Sequence, residues 1–252
     1  MSDVKPSGLA TWRQLLAELM GTALLVTVVV GSGIAAARLS PSDAGLQLLE
    51  NSTATVFGLA VLILILGPVS GGHFNPVISA IDWLLTRRRP GEGQAAGSAA
   101  RYGAAQLVGA ILGALLANIM FDLPALQISG RDRISVGHGL GELVATAGLV
   151  LLVFALARTG RAALSAAAVG AYIGAAYWFT SSTSFANPAV TVGRIFSDTL
   201  AGIAPTSALF FIGAELVGGL VSLGLVRLFF PDAPVTAGRA VVPHPNHVPK
   251  ES

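Results

Sequence analysis

Cysteine is missing from all 252 residues, so no disulfide, thiolate metal site or cysteine nucleophile can be built from this chain. Charge is nearly as scarce. Only 11% of the residues are charged while 53% are hydrophobic, and the mean hydropathy is +0.72; a soluble domain of this length needs more polar surface. The chain therefore reads as an integral membrane protein. His138, His244 and His247 show no metal-ligand spacing, and no nucleophile and base pair or metal set falls inside the apolar runs. Neither an enzyme, a metal or other cofactor, nor a nucleic-acid partner is expected.

Long apolar sequence is what the chain has in quantity. Runs over residues 12–37, 51–69, 101–121, 138–157, 162–180 and 206–230 match the roughly 20 residues that cross a hydrocarbon core of about 30 Å. The first run is too long for a cleavable signal and lacks a small-residue cleavage site after a short core, so it is expected to stay as the first span. The formal charge of +2 hides an asymmetry. In a six-span topology Lys5, Arg13, Arg87, Arg88, Arg89, Arg101, Arg158, Arg161, Arg239 and Lys250 fall on one side, and only Arg38, Arg131 and Arg133 on the other. The positive-inside rule then puts both termini in the cytoplasm of a multi-pass protein of the plasma or inner membrane. Residues 1–11 become a cytoplasmic N-terminal segment. Residues 231–252, carrying Pro231, Pro234, Pro243, Pro245 and Pro249, become a disordered cytoplasmic tail.

The two halves of the chain repeat each other. Ala17-Glu18-Leu19-Met20-Gly21-Thr22 matches Gly141-Glu142-Leu143-Val144-Ala145-Thr146, and Ala105-Gln106-Leu107-Val108-Gly109 matches Ala214-Glu215-Leu216-Val217-Gly218. Between these landmarks each half carries an Asn-Pro tripeptide, Asn75-Pro76-Val77 and Asn187-Pro188-Ala189. Three spans per half is an odd number, so the second copy is inverted about an axis in the membrane plane. Asparagine caps free N–H groups and proline at the next position lacks the N–H that would be orphaned, so Asn-Pro marks a helix start. A helix starting at lipid depth is costly unless its end faces a water-filled path. From Asn75 to Thr86 a helix spans about 18 Å, roughly half the hydrocarbon thickness; Asp198 is expected to end its counterpart. The pairs Gly109 and Gly113, Gly170 and Gly174, and Gly213 with Gly218 and Gly219 read as close helix crossings.

At these motifs the chain resembles the aquaporin and aquaglyceroporin family. Ser70-Gly71-Gly72-His73-Phe74-Asn75-Pro76-Val77 is similar to the family's first signature with Val77 in place of alanine, and Phe185-Ala186-Asn187-Pro188-Ala189 to its second. The resemblance implies an all-α membrane fold of six transmembrane helices and two re-entrant half-helices. Its channel domain covers residues 12–230, with one repeat at about 12–121 and the inverted one at about 138–230, and the family's homotetramer carries one pore per subunit. It also implies that Glu18 and Glu142 accept hydrogen bonds from the re-entrant loops, a role opposed to that of a proton relay. His73 is expected to pack the loop, with a pH effect as the rival role. In most relatives an arginine follows the second Asn-Pro-Ala, and here the residue is Val190. Arg194, one turn further on, either restores the charge or pairs with Asp198 or loop carbonyls. Carrying over the other filter positions gives Thr55, Ala175 and Ser184, or Phe57 and Tyr177 in place of Thr55 and Ala175 if helices two and five hold deletions. Thr55, Ala175, Ser184 and Val190 would make a broad filter. Val190 in the arginine position resembles an arsenic-associated bacterial branch.

The expected function is a passive channel for small uncharged solutes, glycerol-like polyols or neutral metalloid hydroxides such as arsenous acid, together with water. Two half-helix N-termini, each near +0.5 charge, would refuse cations at the midpoint, while the asparagine N–H groups would serve passing hydroxyl oxygens. The alternatives are a strict water channel or an alternating-access transporter, which inverted repeats also build. The partners expected are neutral solutes, water and membrane lipid.

Overall fold

The computed structural model describes residues 10–87 and 96–231. Expectations that fall on Arg88, Arg89, residues 1–9 and the tail from 232 onward lie outside the described residues. Eight α-helices follow one another among the described residues: α1 (Trp12–Leu39), α2 (Ala44–Ser70), α3 (Pro76–Thr86), α4 (Ala96–Met120), α5 (Val136–Arg158), α6 (Ser165–Phe179), α7 (Pro188–Arg194) and α8 (Pro205–Phe229). A short 3-10 turn, Ala162–Leu164, leads into α6. Six of these segments are long and apolar enough to cross a membrane, and α3 and α7 are the short ones. Among the described residues the protein is all-helical, a membrane protein of six long helices and two short ones.

Polar capping explains why several helices begin earlier than their apolar runs. The Asp43 side chain accepts from the Leu46 N–H, Gln47 donates to the Ser40 carbonyl and Ser40 donates to Glu50, so α2 starts at Ala44 rather than near Asn51. A capping box between Thr11 and Gln14 opens α1, satisfying N–H groups that a helix end leaves free. α7 departs in the other direction. It ends at Arg194, and Asp198 lies beyond it, accepting from the Gly130 N–H across the loop. The helix tightens at this point because Ile195 and Phe196 donate to carbonyls three residues back, a 3-10 ending that turns the chain away.

Repeat symmetry is visible in the packing. A Cβ at Gly109 would lie 2.2 Å from the Leu19 carbonyl oxygen, and one at Gly218 would lie 2.5 Å from that of Leu143. Leu19 and Leu143 occupy matching places in the two halves, so α1 meets α4 as α5 meets α8, each through a glycine that admits bare backbone. Gly213 does not share this role: nothing lies within 4 Å of its Cβ position, because it sits on the outward side of α8. Large apolar side chains such as Leu64, Ile65, Leu116, Leu209 and Leu220 remain exposed, the surface a bilayer covers.

Candidate functional site

Each re-entrant loop hangs from a buried glutamate. Glu18 accepts from the backbone N–H groups of His73 (3.0 Å) and Phe74 (2.7 Å), from Ser70 Oγ (2.6 Å) and from Gln106 Nε2 (2.7 Å). Glu142 accepts from the N–H groups of Phe185 (2.9 Å) and Ala186 (2.7 Å). Charge at this depth is tolerated only when its lone pairs are filled in this way. His73 packs in the first loop, its Nδ1 2.9 Å from Ser79 Oγ and its ring edge-on to Tyr102.

The loops in turn hold each other. Phe74 and Ala186 both adopt left-handed backbone (φ 47° and 50°), a conformation that costs a non-glycine residue about 1–3 kcal/mol unless its surroundings enforce it. The enforcing contacts are reciprocal. Asn75 Nδ2 donates to the Ala186 carbonyl and Asn187 Nδ2 donates to the Phe74 carbonyl, both at 2.7 Å. Each asparagine Oδ1 meanwhile caps its own helix, Asn75 taking the Val77 N–H (2.9 Å) and Asn187 the Ala189 and Val190 N–H groups (3.0 and 3.3 Å). Pro76 and Pro188 occupy the first helical positions. A carboxamide nitrogen has two hydrogens, so one on each asparagine is left for the cavity that both residues line. Val77, larger than the alanine in the second motif, fits because its Cγ1 occupies the space a Cβ on Gly219 would need, 2.5 Å away.

That cavity, of about 60 Å³, runs between the two asparagines from Val153, Val169 and Ile173 to Thr55, Tyr177, Ser184, Val190 and Arg194. Its walls are mainly apolar apart from the asparagines, His73 and this last group. The expected filter needs one correction. Ala175 is exposed on the outer face of α6 and is absent from the cavity wall, whereas Tyr177 is buried in it with its hydroxyl 3.2 Å from Thr55 Oγ1. Two residues turn a helix by about 200°, so the two positions cannot face the same side. Thr55 lines the cavity while Phe57, 67% exposed, points away, so the register change affects helix five alone. The Ser184 hydroxyl has no protein partner.

Arg194 combines the two roles the sequence left open. Its Nε donates to the Ala201 carbonyl, and its guanidinium lies 3.4 Å from the centre of the Phe185 ring. It nevertheless lines the narrow cavity and also the wider mouth beyond it. Asp198 takes no part. Asp82, on the first half-helix, is buried with Oδ1 unpartnered, and Arg87 lies over the Trp83 ring.

Glu215 is the residue sequence reasoning passed over. It accepts from the Asn187 N–H (3.1 Å) and Thr191 Oγ1 (2.7 Å) and lies beside Glu142, its Oε2 without a hydrogen-bond partner. The repeat match contained the signal: Glu215 stands where the first half has Gln106, which donates to Glu18.

Residues 5–184 match the major intrinsic protein family. The chain is 47% identical to aquaglyceroporin AqpS of Rhizobium meliloti over 227 residues, 88% of this chain and 93% of that one. It is 31% identical to aquaporin Z of Photorhabdus laumondii over 244 residues, 87% of this chain and 98% of that one. In fold it is similar to the X-ray structure of the aquaglyceroporin from Plasmodium falciparum, with a TM-score of 0.58 and 20% identity over 85% of this chain and 94% of that one.

Proposed function

We propose, starting from the premise that this chain belongs to the major intrinsic protein family, that its channel passes small uncharged polyhydroxylated solutes, glycerol or neutral metalloid hydroxides such as arsenous acid, along with water. A channel for water and small solutes is the family's activity and that of this chain; the solute is the proposal. The observation that carries it is the make-up of the constriction. Thr55, Ser184 and Tyr177 offer hydroxyls on some sides, Val190 an apolar wall on another, and the guanidinium stands one turn further out at Arg194. Alternating hydroxyl and apolar groups suit a molecule that has both along its length. The likeness to an aquaglyceroporin over nearly the whole chain supports the same solute class.

The remaining parts of the reading follow the sequence. Clustering of basic residues puts both termini in the cytoplasm, so the mouth formed by residues 121–135 and 195–204 faces outward. The subunit assembles as a homotetramer with one pore each, and Thr55, Tyr177, Ser184, Val190 and Arg194 act as its filter. Substituting Val190→Arg tests the solute assignment. A second guanidinium below Arg194 would fill the constriction, and proteoliposomes are expected to lose glycerol and arsenous acid uptake by roughly tenfold, about 1.4 kcal/mol of barrier, with water flux largely kept. Wild-type vesicles that pass water alone would refute the proposal.

A further inference from the structure

The wide mouth beyond Arg194 gathers three arginines on a wall that carries no carboxylate. Its cavity, of about 230 Å³, is lined by Arg131, Arg133 and Arg194 together with Gln47, Asn51 and Thr183, and by no acidic residue. The carboxylates nearest in sequence are hydrogen-bonded elsewhere: Asp132 with Ser207 and the Ile134 N–H, Asp198 with the Gly130 N–H, Asp43 at the start of α2 and Glu50 with Ser40. Glu142, which holds the second re-entrant loop, attracts Arg133 and Arg194 from outside the cavity wall and leaves Arg131 to add a net positive charge.

All three arginines are held in place by backbone. Arg131 donates to the Leu200 carbonyl, Arg133 to those of Leu200 and Gly202, and Arg194 to that of Ala201. Carbonyls fix the guanidiniums but do not cancel their charge. Burial first, and then the neighbouring charge of Arg131, lower the Arg133 guanidinium to about 10, with Glu142 acting in the opposite direction. Arg194 is only 2% exposed; one face of its guanidinium lies on the Phe185 ring, and among the described residues its hydrogen-bond acceptor is the Ala201 carbonyl, reached through Nε, so its terminal nitrogens are left at the border of the cavity. Three fixed cations with spare donors around one cavity form an arrangement that can hold an oxyanion through charge-assisted, forked hydrogen bonds.

We propose that this mouth is a binding site for a small free oxyanion, a carboxylate or a tetrahedral oxyanion, bridged by Arg131, Arg133 and Arg194. The anion stops there. Beyond Arg194 the lumen narrows to mostly apolar walls, which cannot replace the hydration of a charge. A bound anion therefore occupies the approach to the pore and slows neutral solutes that enter from this side.

Inorganic phosphate and acetate are the probes, with chloride at equal ionic strength as the control. For the full-length protein, phosphate is expected to raise the melting temperature by about 2–4 °C over chloride. Arg131→Gln with Arg133→Lys should remove at least half of that shift, while Arg161→Gln, between α5 and α6 at the opposite end, should leave it. Conservative replacement at Arg133 keeps a donor for its loop; a double variant that still melts cooperatively without phosphate shows that loss of the shift is not loss of fold. In proteoliposomes, phosphate added to one side should slow glycerol uptake severalfold, and less in the double variant. The proposal is overturned if phosphate and acetate act no differently from chloride, or if the double variant keeps the full shift. Nanodiscs separate two sources of the same chemistry. A shift present in zwitterionic and anionic nanodiscs alike supports a free anion, and its loss in anionic nanodiscs assigns the site to a lipid headgroup and overturns it.

Discussion

Replacing Glu18 by leucine leaves no folded channel to purify. Four donors lose their acceptor together: the His73 and Phe74 N–H groups, Ser70 Oγ and Gln106 Nε2. An orphaned buried donor costs about 1–3 kcal/mol, so the sum is about 4–12 kcal/mol against a typical total stability of about 5–15 kcal/mol. Gln106 can fall back on Ser79 Oγ, 3.1 Å away, but the two backbone groups sit in a strained turn with no alternative. Extraction into detergent and size-exclusion chromatography should return aggregate only. Glu215→Gln is the contrasting case. Its carbonyl oxygen still accepts from Asn187 and Thr191, its amide replaces the unpartnered Oε2, and the pair with Glu142 becomes a copy of Gln106 with Glu18. This variant is expected to fold and to melt no lower than the wild type. A well-folded Glu18→Leu protein, or a destabilised Glu215→Gln protein, contradicts this view of how the loops are held.

Tyr177→Ala is expected to open the constriction. The tyrosine bridges α6 to Thr55 on α2 and lines the same cavity as Val190. Removing it should raise glycerol uptake relative to water by roughly tenfold, equivalent to about 1.4 kcal/mol off the barrier, and should admit a bulkier polyol. Ala175→Leu, on the outer face of the same helix, should change neither rate. Stopped-flow light scattering on proteoliposomes reads both variants. An effect at Ala175 with none at Tyr177 would reverse the assignment of the α6 face.

That pair of positions also shows where sequence reasoning stopped. Spans, inverted repeats and the two helix starts were legible because each rests on a local rule: apolar length, a repeated string, an asparagine before a proline. Which face of a helix meets the lumen depends on its rotation against its neighbours. Residues 165–179 are apolar nearly all the way round, with large side chains at 172, 173 and 177–179 on several sides, so no stripe distinguishes one face from another. Thr55 on α2 lines the cavity, while α6 is turned so that Tyr177 rather than Ala175 looks inward. The expected end of α7 is Asp198, yet it stops at Arg194, where the chain meets Ser129, remote in sequence, and residues 201–203, which fold back on the helix end. Glu215 was visible as a letter in the repeat but not as a carboxylate beside Glu142, because proximity across two helices is a tertiary fact. Arg131 and Arg133 counted only as charges of topology until the loop folded them over the mouth.

The central claim is that two short helices meet end to end and that Asn75 and Asn187, locked to each other's loops, line a path for neutral solutes and refuse cations. One recording tests it most directly: wild-type proteoliposomes loaded with a pH-sensitive dye, followed by stopped flow under a glycerol gradient and then under a proton gradient. Glycerol and water should equilibrate far faster than in protein-free vesicles while the dye signal stays at the protein-free rate. A proton leak that rises with protein content, or vesicles that pass neither glycerol nor water, would contradict the account.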